Sequence, residues 1–591
     1  LPALPALPAL PATGYWLLAT GYRLQATGYC PLPAALRLSI DSGGNPGHQE
    51  SRFSNLPHQN PMNPTYRPGL LLVMTLLILP GAGMTQEPGQ QPPAIPRLRE
   101  LSFAFLTNEH PLPEEKRTAQ ITALIKEATV LEVQAALTSG TVTSEELTGY
   151  FLKRIRRHDG LLRSYLEVNP HCLEEARDAD RRRKEGKVLG PLDGIPLNLK
   201  DNIGTAAPMH TTVGTEILLQ HAPPRDATLV KQLREAGAVI LGKASLSELA
   251  GVLTTQPAGY NAVSGIGVNP HGSQLPVAGS SSGSGISVSA CLTLLSVGTE
   301  TSGSLIAPAA ANGVVAMKPS LGLVSGEGIV PLIRYQDSAG PVTRSVTDAA
   351  VLLAAIDTAE ADYAAGLDTG ALAGVPVGVL RQDITGPESP GRQADWLALM
   401  DEGLGKAKAV SCPVTLEGKI ELLPVIFLGL SHDTIGYLKE AGAPIKTLAD
   451  LQAYHAAKPE IRIPRGQNMI EFGSRLMEAF YKEEGIKQDG LAKAYEVLAL
   501  QARESAAAIL AKAFAGNAVQ VLVSLANTHS EYYATAGYPA ITVPLGLNKD
   551  GVPNGITFIS QRGGDAKLLA YAFAFEQATR SRVTPAQVWK D

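Results

Sequence analysis

Along Ala128-Thr-Val-Leu-Glu-Val-Gln-Ala-Ala-Leu137, apolar side chains recur at intervals of three and four residues, the spacing of one face of an amphipathic helix. Thr143-Ser-Glu-Glu146 then offers cap chemistry ahead of Leu147, Tyr150, Phe151 and Ile155, so a second helix is predicted over 141–154. Further along, the period changes repeatedly. Leu229–Ala236 reads as a helix ended by Gly237, Ala238–Leu241 as a short strand, and Ser245-Leu-Ser-Glu248 as a capping box that opens another helix. The same grammar returns near the C-terminus, where 519–523, 540–543 and 555–559 read as strands and 566–580 as a helix. This alternation predicts an α/β fold: a large mixed, mostly parallel β-sheet covered by helices on both faces. Residues 360–515 are more helical and polar and lack the strand rhythm, which marks them as a helical insertion that shapes a substrate cleft.

The first part of the chain follows none of these periods. Residues 1–61 carry repeated Leu-Pro-Ala and Ala-Thr-Gly-Tyr units and read as a disordered or spurious extension. Residues 62–83 have Arg67, the apolar run Gly69–Leu79, and the small residues Gly81-Ala-Gly83, which is the layout of a secretory signal peptide. Eleven residues are too few for a helix to cross a hydrocarbon core of about 30 Å, so export to a periplasmic or extracellular space is expected, with no stable membrane insertion after cleavage; a segment that is not a signal would leave the protein cytoplasmic. Residues 84–117, rich in proline at first, read as a flexible mature N-terminus, and the globular domain is expected over 118–591.

Composition narrows the chemistry. Charged residues make up 18% of the chain and the net charge is −5, so no nucleic-acid partner is expected. The four cysteines, Cys30, Cys172, Cys291 and Cys412, form no CxxC pair and read as buried or incidental thiols. Among the histidines no HxxxH or HExxH occurs, so no metal site is expected.

Two glycine-rich segments carry the strongest chemical signal. Ala278-Gly-Ser-Ser-Ser-Gly-Ser-Gly285 and Gly298-Thr-Glu-Thr-Ser-Gly-Ser304 place Ser280 and Ser304 24 residues apart, and Cys291–Val297 supplies apolar packing between the two turns. A serine hydroxyl becomes a nucleophile when a base takes its proton, and a lysine is such a base when its site keeps it neutral. Upstream stands Lys200, whose neighbours Ile195, Leu197, Leu199 and Ile203 predict a buried strand in place of a surface ion pair with Asp201. Asp337, Arg344 and Asp348 read as loop-fixing ion pairs, and His210 and His529 as structural histidines.

From about residue 118 onward the chain resembles the amidase signature hydrolases. Pro191–Asn202 is similar to the family's lysine segment, Val277–Gly285 and Gly298–Lys318 to its serine- and glycine-rich signature, and Gly537–Pro544 to its C-terminal strand. The resemblance implies a Ser-Ser-Lys triad with Ser304 as nucleophile, Ser280 as bridging serine and Lys200 as base, and a cis peptide at Gly279–Ser280. It further implies backbone N–H groups of Thr301, Ser302, Gly303 and Ser304 around the oxyanion, and a supporting role for Ser281. Neither metal nor organic cofactor is implied, and the expected substrate is a small-molecule or peptide amide, cleaved through an acyl-enzyme.

Ala278, Ser302 and Ile306 depart from the commoner family pattern, while Gly298–Ser304 with Pro308–Val315 resembles the bacterial peptide amidases. The leading expectation is hydrolysis of carboxamides, C-terminal peptide amides among them. Two other readings stay open: a fatty-acyl or aryl amide hydrolase with esterase activity, and an amidotransferase-like subunit with a vestigial triad.

Overall fold

The structure is a computed structural model that describes residues 97–106, 112–253, 257–359, 361–381, 390–484 and 490–589. The segments expected as an extension (1–61) and as a signal peptide (62–83) lie outside the described residues. The strands are β1 (Tyr165–Val168), β2 (Pro196–Lys200), β3 (Val239–Ala244), β4 (Tyr260–Asn261), β5 (Gly265–Ile266), β6 (Leu295–Glu300), β7 (Val315–Lys318), β8 (Ser338–Thr343), β9 (Pro376–Leu380), β10 (Val410–Val414), β11 (Val521–Leu525), β12 (Ala540–Leu547) and β13 (Pro553–Ile559). Apart from the small β4–β5 ribbon they form one sheet of 11 strands, in the order β1-β3-β2-β6-β8-β7-β12-β13-β11-β9-β10.

The sheet is mixed and flanked by helices, as the alternating pattern predicts. Its parallel pairings fall in two blocks, β3-β2-β6 and β11-β9-β10. Between the blocks, from β6 through β8, β7, β12 and β13 to β11, and at the β1 edge, the pairings are antiparallel. Every residue of β2, β3, β6, β7, β8 and β11 is buried. Successive side chains of a strand point to opposite faces, so burial at every position means that both faces are covered. Apolar side chains from the strands and from the helices Ser144–Leu162, Val346–Ile356 and Asp565–Thr579 share one large core.

Three sequence expectations are corrected here. Ser245–Glu248 opens no α-helix: β3 runs to Ala244, and only a 3-10 turn, Glu248–Gly251, follows, with Leu249 and Ala250 at positive φ. The Glu248 carboxylate, buried, accepts the Ala262 N–H at 2.8 Å instead of capping a helix. Residues 360–515 are not purely an inserted helical region, because β9 and β10 lie within them and complete one edge of the main sheet. Short, glycine- and proline-containing strands such as Pro376-Val-Gly-Val-Leu380 and Val410-Ser-Cys-Pro-Val414 give almost no periodic signal, and a proline is tolerated in β10 because it is an edge strand. The flexible start is shorter than expected as well. Arg97 is clasped to Asp159 at 2.8 Å and to the Tyr165 carbonyl at 3.0 Å, Leu98 N–H reaches Val263 O at 2.8 Å, and a helix begins at Glu115. A buried carboxylate needs a cation, and that requirement fixes the chain. Among the described residues, no helix is long and apolar enough to cross a membrane.

Candidate active site

In the parallel block, β2 and β6 run side by side with Leu197 opposite Leu295 and Leu199 opposite Val297. Their carboxyl ends therefore emerge at the same edge, the position at which parallel sheets present ligand sites. Lys200 ends β2, Thr299 and Glu300 end β6, and the chain then turns through Thr301–Ser304 into the helix Ile306–Ala311. The other serine segment enters from the side: the Gly279–Ser280 peptide is cis, and the helix Ser282–Ser289 follows, buried at every residue. Gly283 allows this burial. A methyl group on it would lie 2.4 Å from Ser245 N and from Ser164 O, while its own N–H donates to Ser245 O at 2.8 Å. Only a residue without Cβ lets the helix approach β3 so closely.

The lysine is fully buried. Its Nζ donates to Ser280 Oγ at 2.8 Å, to Thr299 Oγ1 at 2.9 Å and to the Thr299 carbonyl at 3.1 Å. Burial pushes the Lys200 amine down to about 7, against the opposing pull of Asp337 and Glu300. All three bonds go to neutral oxygens, so the site holds the amine in place without pairing it to a carboxylate. Ser281 braces the same carbonyl: its Oγ donates to Thr299 O at 2.9 Å, and its N–H donates to the Ser304 carbonyl at 3.1 Å. The Ser280 carbonyl accepts the Ser247 N–H at 3.0 Å.

Ser304 is half-buried, and among the described residues no hydrogen bond joins its hydroxyl to that of Ser280. The turn before it is built with open donors. Gly303 has φ +83°, and the N–H groups of Thr301, Ser302, Gly303 and Ser304 meet no acceptor among the described residues. Glu300 closes the turn from beneath, its Oε2 accepting the N–H groups of Leu305 at 2.8 Å and Ile306 at 3.1 Å. On the other side Gln336 Nε2 donates to the Thr301 carbonyl at 2.7 Å, and Thr301 Oγ1 donates to Asp337. Burial raises the Asp337 carboxyl to about 6, with its bonds from Thr301, Leu332 N and Ile333 N opposing the shift.

A family model described as Amidase matches residues 146–569, well over half of the chain. The chain belongs to the amidase family. It is 36% identical over 488 residues to a probable amidase of Arabidopsis thaliana, covering 78% of this chain and 92% of that protein. It is 30% identical over 496 residues to a glutamyl-tRNA(Gln) amidotransferase subunit of Moorella thermoacetica, covering 76% and 96%. Among solved structures, the native peptide amidase of Stenotrophomonas maltophilia aligns with TM-score 0.70 and 35% identity over 78% of this chain and 98% of that one.

In this amidase the sequence-predicted residues Lys200, Ser280, Ser281, Thr301, Ser302, Gly303 and Ser304 all lie on the segments that meet at the carboxyl edge of β2 and β6. Sequence reasoning missed Thr299, which supplies two of the three acceptors for Lys200, and Asn202, whose Nδ2 donates to Thr299 Oγ1 at 3.1 Å. Asp337 and Arg344 fix loops, as expected, yet through backbone groups in place of ion pairs: Arg344 donates to the carbonyls of Ile125, Lys126 and Ala128. Asp348 likewise accepts the Val130 N–H at 2.7 Å. His210 pairs with Glu167, and His529 Nδ1 lies 2.6 Å from Ser524 Oγ, so both have partners outside the lysine site. Among the described residues no His, Cys, Asp or Glu cluster has the arrangement of a metal site.

Proposed function

We propose that this amidase hydrolyses carboxamides, including C-terminal peptide amides, through an acyl-enzyme on Ser304. The observation that carries the reading is a buried, carboxylate-free Lys200 amine bonded to the Ser280 hydroxyl beside a turn of unoccupied N–H donors. Neutral Lys200 takes the Ser280 proton while Ser280 takes that of Ser304, whose Oγ forms a bond to the substrate carbonyl carbon. The oxygen of that carbonyl gains charge and is met by the N–H groups of the 301–304 turn; one such donor lowers the barrier by about 3–4 kcal/mol. Collapse breaks the C–N bond, the departing amine or ammonia receives the proton back through Ser280, and water repeats the sequence to free the acid. The Ser280 and Ser304 hydroxyls close their gap when substrate binds, as catalytic hydrogen bonds often do.

Ammonia release from amidated dipeptides by the purified protein and by Ser304→Ala tests the assignment, with a loss of at least about a thousandfold expected in the variant. Normal turnover by Ser304→Ala ends it. Comparing fatty-acyl, aryl and peptide amides decides the acyl preference. Labelling of Ser304 by a fluorophosphonate separates a working triad from a vestigial one, a reading that the likeness to the Moorella amidotransferase protein keeps in view. The leader-like run Gly69–Leu79 supports an exported enzyme, which N-terminal sequencing of the mature protein checks.

A further inference from the structure

The strand β11 ends at Leu525, and the chain that follows is held at several points. Ala526 N–H donates to Gly555 O at 2.8 Å, Ala526 O accepts from Thr557 Oγ1 at 2.6 Å, and Asn527 O accepts the Ser530 N–H at 2.9 Å. Ala526 stands at φ +42°, so the chain is redirected at that residue. What this fixed turn presents is the Asn527 carboxamide. A methyl group on Gly303 would lie 2.7 Å from Asn527 Nδ2, 3.1 Å from Asn527 Cβ and 3.1 Å from Ser530 Oγ. The amide thus covers the turn of open donors next to Ser304. Ser530 is already engaged, its Oγ lying 3.2 Å from Ser302 Oγ. Asn527 is half-buried, and among the described residues its side chain makes no hydrogen bond.

A carboxamide with two donors and an acceptor, carried on a pinned turn and left unbonded beside the reacting serine, is a preorganised polar contact. Resting on the reading of Ser304 as the nucleophile, we propose that Asn527 contacts the substrate: its Nδ2 donates to an oxygen on the acyl side, such as the peptide carbonyl that precedes the scissile amide. Asn527 then selects acyl groups that carry a second carbonyl over plain aliphatic ones. Ser302 does not substitute for it, because its hydroxyl already donates to Ser530 Oγ at 3.2 Å.

The test measures kcat/KM of the full chain for an N-acetylated dipeptide amide and for an aliphatic amide of similar length that lacks the second carbonyl, in wild type, Asn527→Ala and Asn527→Asp. The ratio of the two values, peptide over aliphatic, is expected to fall roughly tenfold in Asn527→Ala, the loss of one hydrogen bond. Asn527→Asp should fall at least as far, since a carboxylate offers no donor. An unchanged ratio overturns the proposal, whether both substrates slow equally, which places Asn527 at the scissile carbonyl or in the scaffold, or neither slows. Retention of the wild-type melting temperature identifies variants that fold. If wild type turns over neither substrate, it is the proposed hydrolysis of such carboxamides that has failed, and the wild-type lane alone reports it.

Discussion

Two lysine amines lie buried on neighbouring strands of the same parallel block, and their surroundings differ. Lys243 of β3 donates to the carbonyls of Ile203 and His210 and to the hydroxyls of Thr205 and Thr211, and Asp201 Oδ1 stands 3.5 Å away. Lys200 of β2 has three neutral acceptors and, among the described residues, no carboxylate within bonding reach. Burial lowers the pKa of both, but at Lys243 the Asp201 charge opposes it directly, whereas at Lys200 the opposing charges are the more distant Asp337 and Glu300. Burial alone therefore does not make a base. What differs is whether the amine has a counter-charge nearby to hold its proton; Lys243 has one and serves as a strut, whereas Lys200 has none and, on the function proposed above, acts as the proton acceptor.

The widest separation between the two is expected from Lys200→Met and Lys243→Met. The first should cost about a thousandfold or more in kcat/KM while the protein still folds, and the second roughly 3–5 kcal/mol of stability, since it leaves Asp201 buried without its cation. Denaturant titration and a rate assay on both variants measure this, and an active Lys200→Met with an inactive but fully stable Lys243→Met would invert the assignment.

Next comes pH. With its pKa lowered to about 7, Lys200 is protonated below that value and free above it, so kcat/KM should climb about tenfold per pH unit up to about 7 and then level. A profile flat from pH 5 to 9 contradicts a lysine base.

Smaller changes should displace that limb without removing it. Thr299→Val deletes an acceptor that favours the ammonium form, so the limb should move to lower pH with about a tenfold loss of rate. Asp337→Asn removes a charge that also favours the ammonium form, and should move the limb in the same direction by less than about one unit. Movement to higher pH in either variant would mean that these groups act on something other than Lys200.

How much of this was legible beforehand follows from the range of each interaction. The alternation of helix and strand predicted the layered sheet because that signal is local, whereas the expectation that the serine and lysine segments meet came from the resemblance to the amidase signature hydrolases. The acceptors of Lys200 were not legible. Thr299 reaches the amine only because β2 and β6 are neighbours in the sheet, a pairing of residues about a hundred positions apart that no short motif encodes. Asn527 is further still from Gly303 in sequence and depends on the turn beyond β11. The strands β9 and β10 escaped notice for another reason: five residues interrupted by Gly378 or Pro413 make no measurable alternation. Ser245–Glu248 carried a capping box in its residues, yet the carboxylate found a backbone donor in Ala262, and that tertiary bond prevailed over the local preference.

The clasp of Arg97 on Asp159 has a practical consequence for anyone shortening the protein. Asp159 also receives the N–H and hydroxyl of Ser164 and so shapes the corner that leads into β1. Cutting the chain after Arg97 would strand an acidic group inside that corner, and the matching strand at the edge of the sheet would lose its anchor. A shortened protein that keeps Arg97 should retain the wild-type melting temperature, and one that begins just beyond it should not.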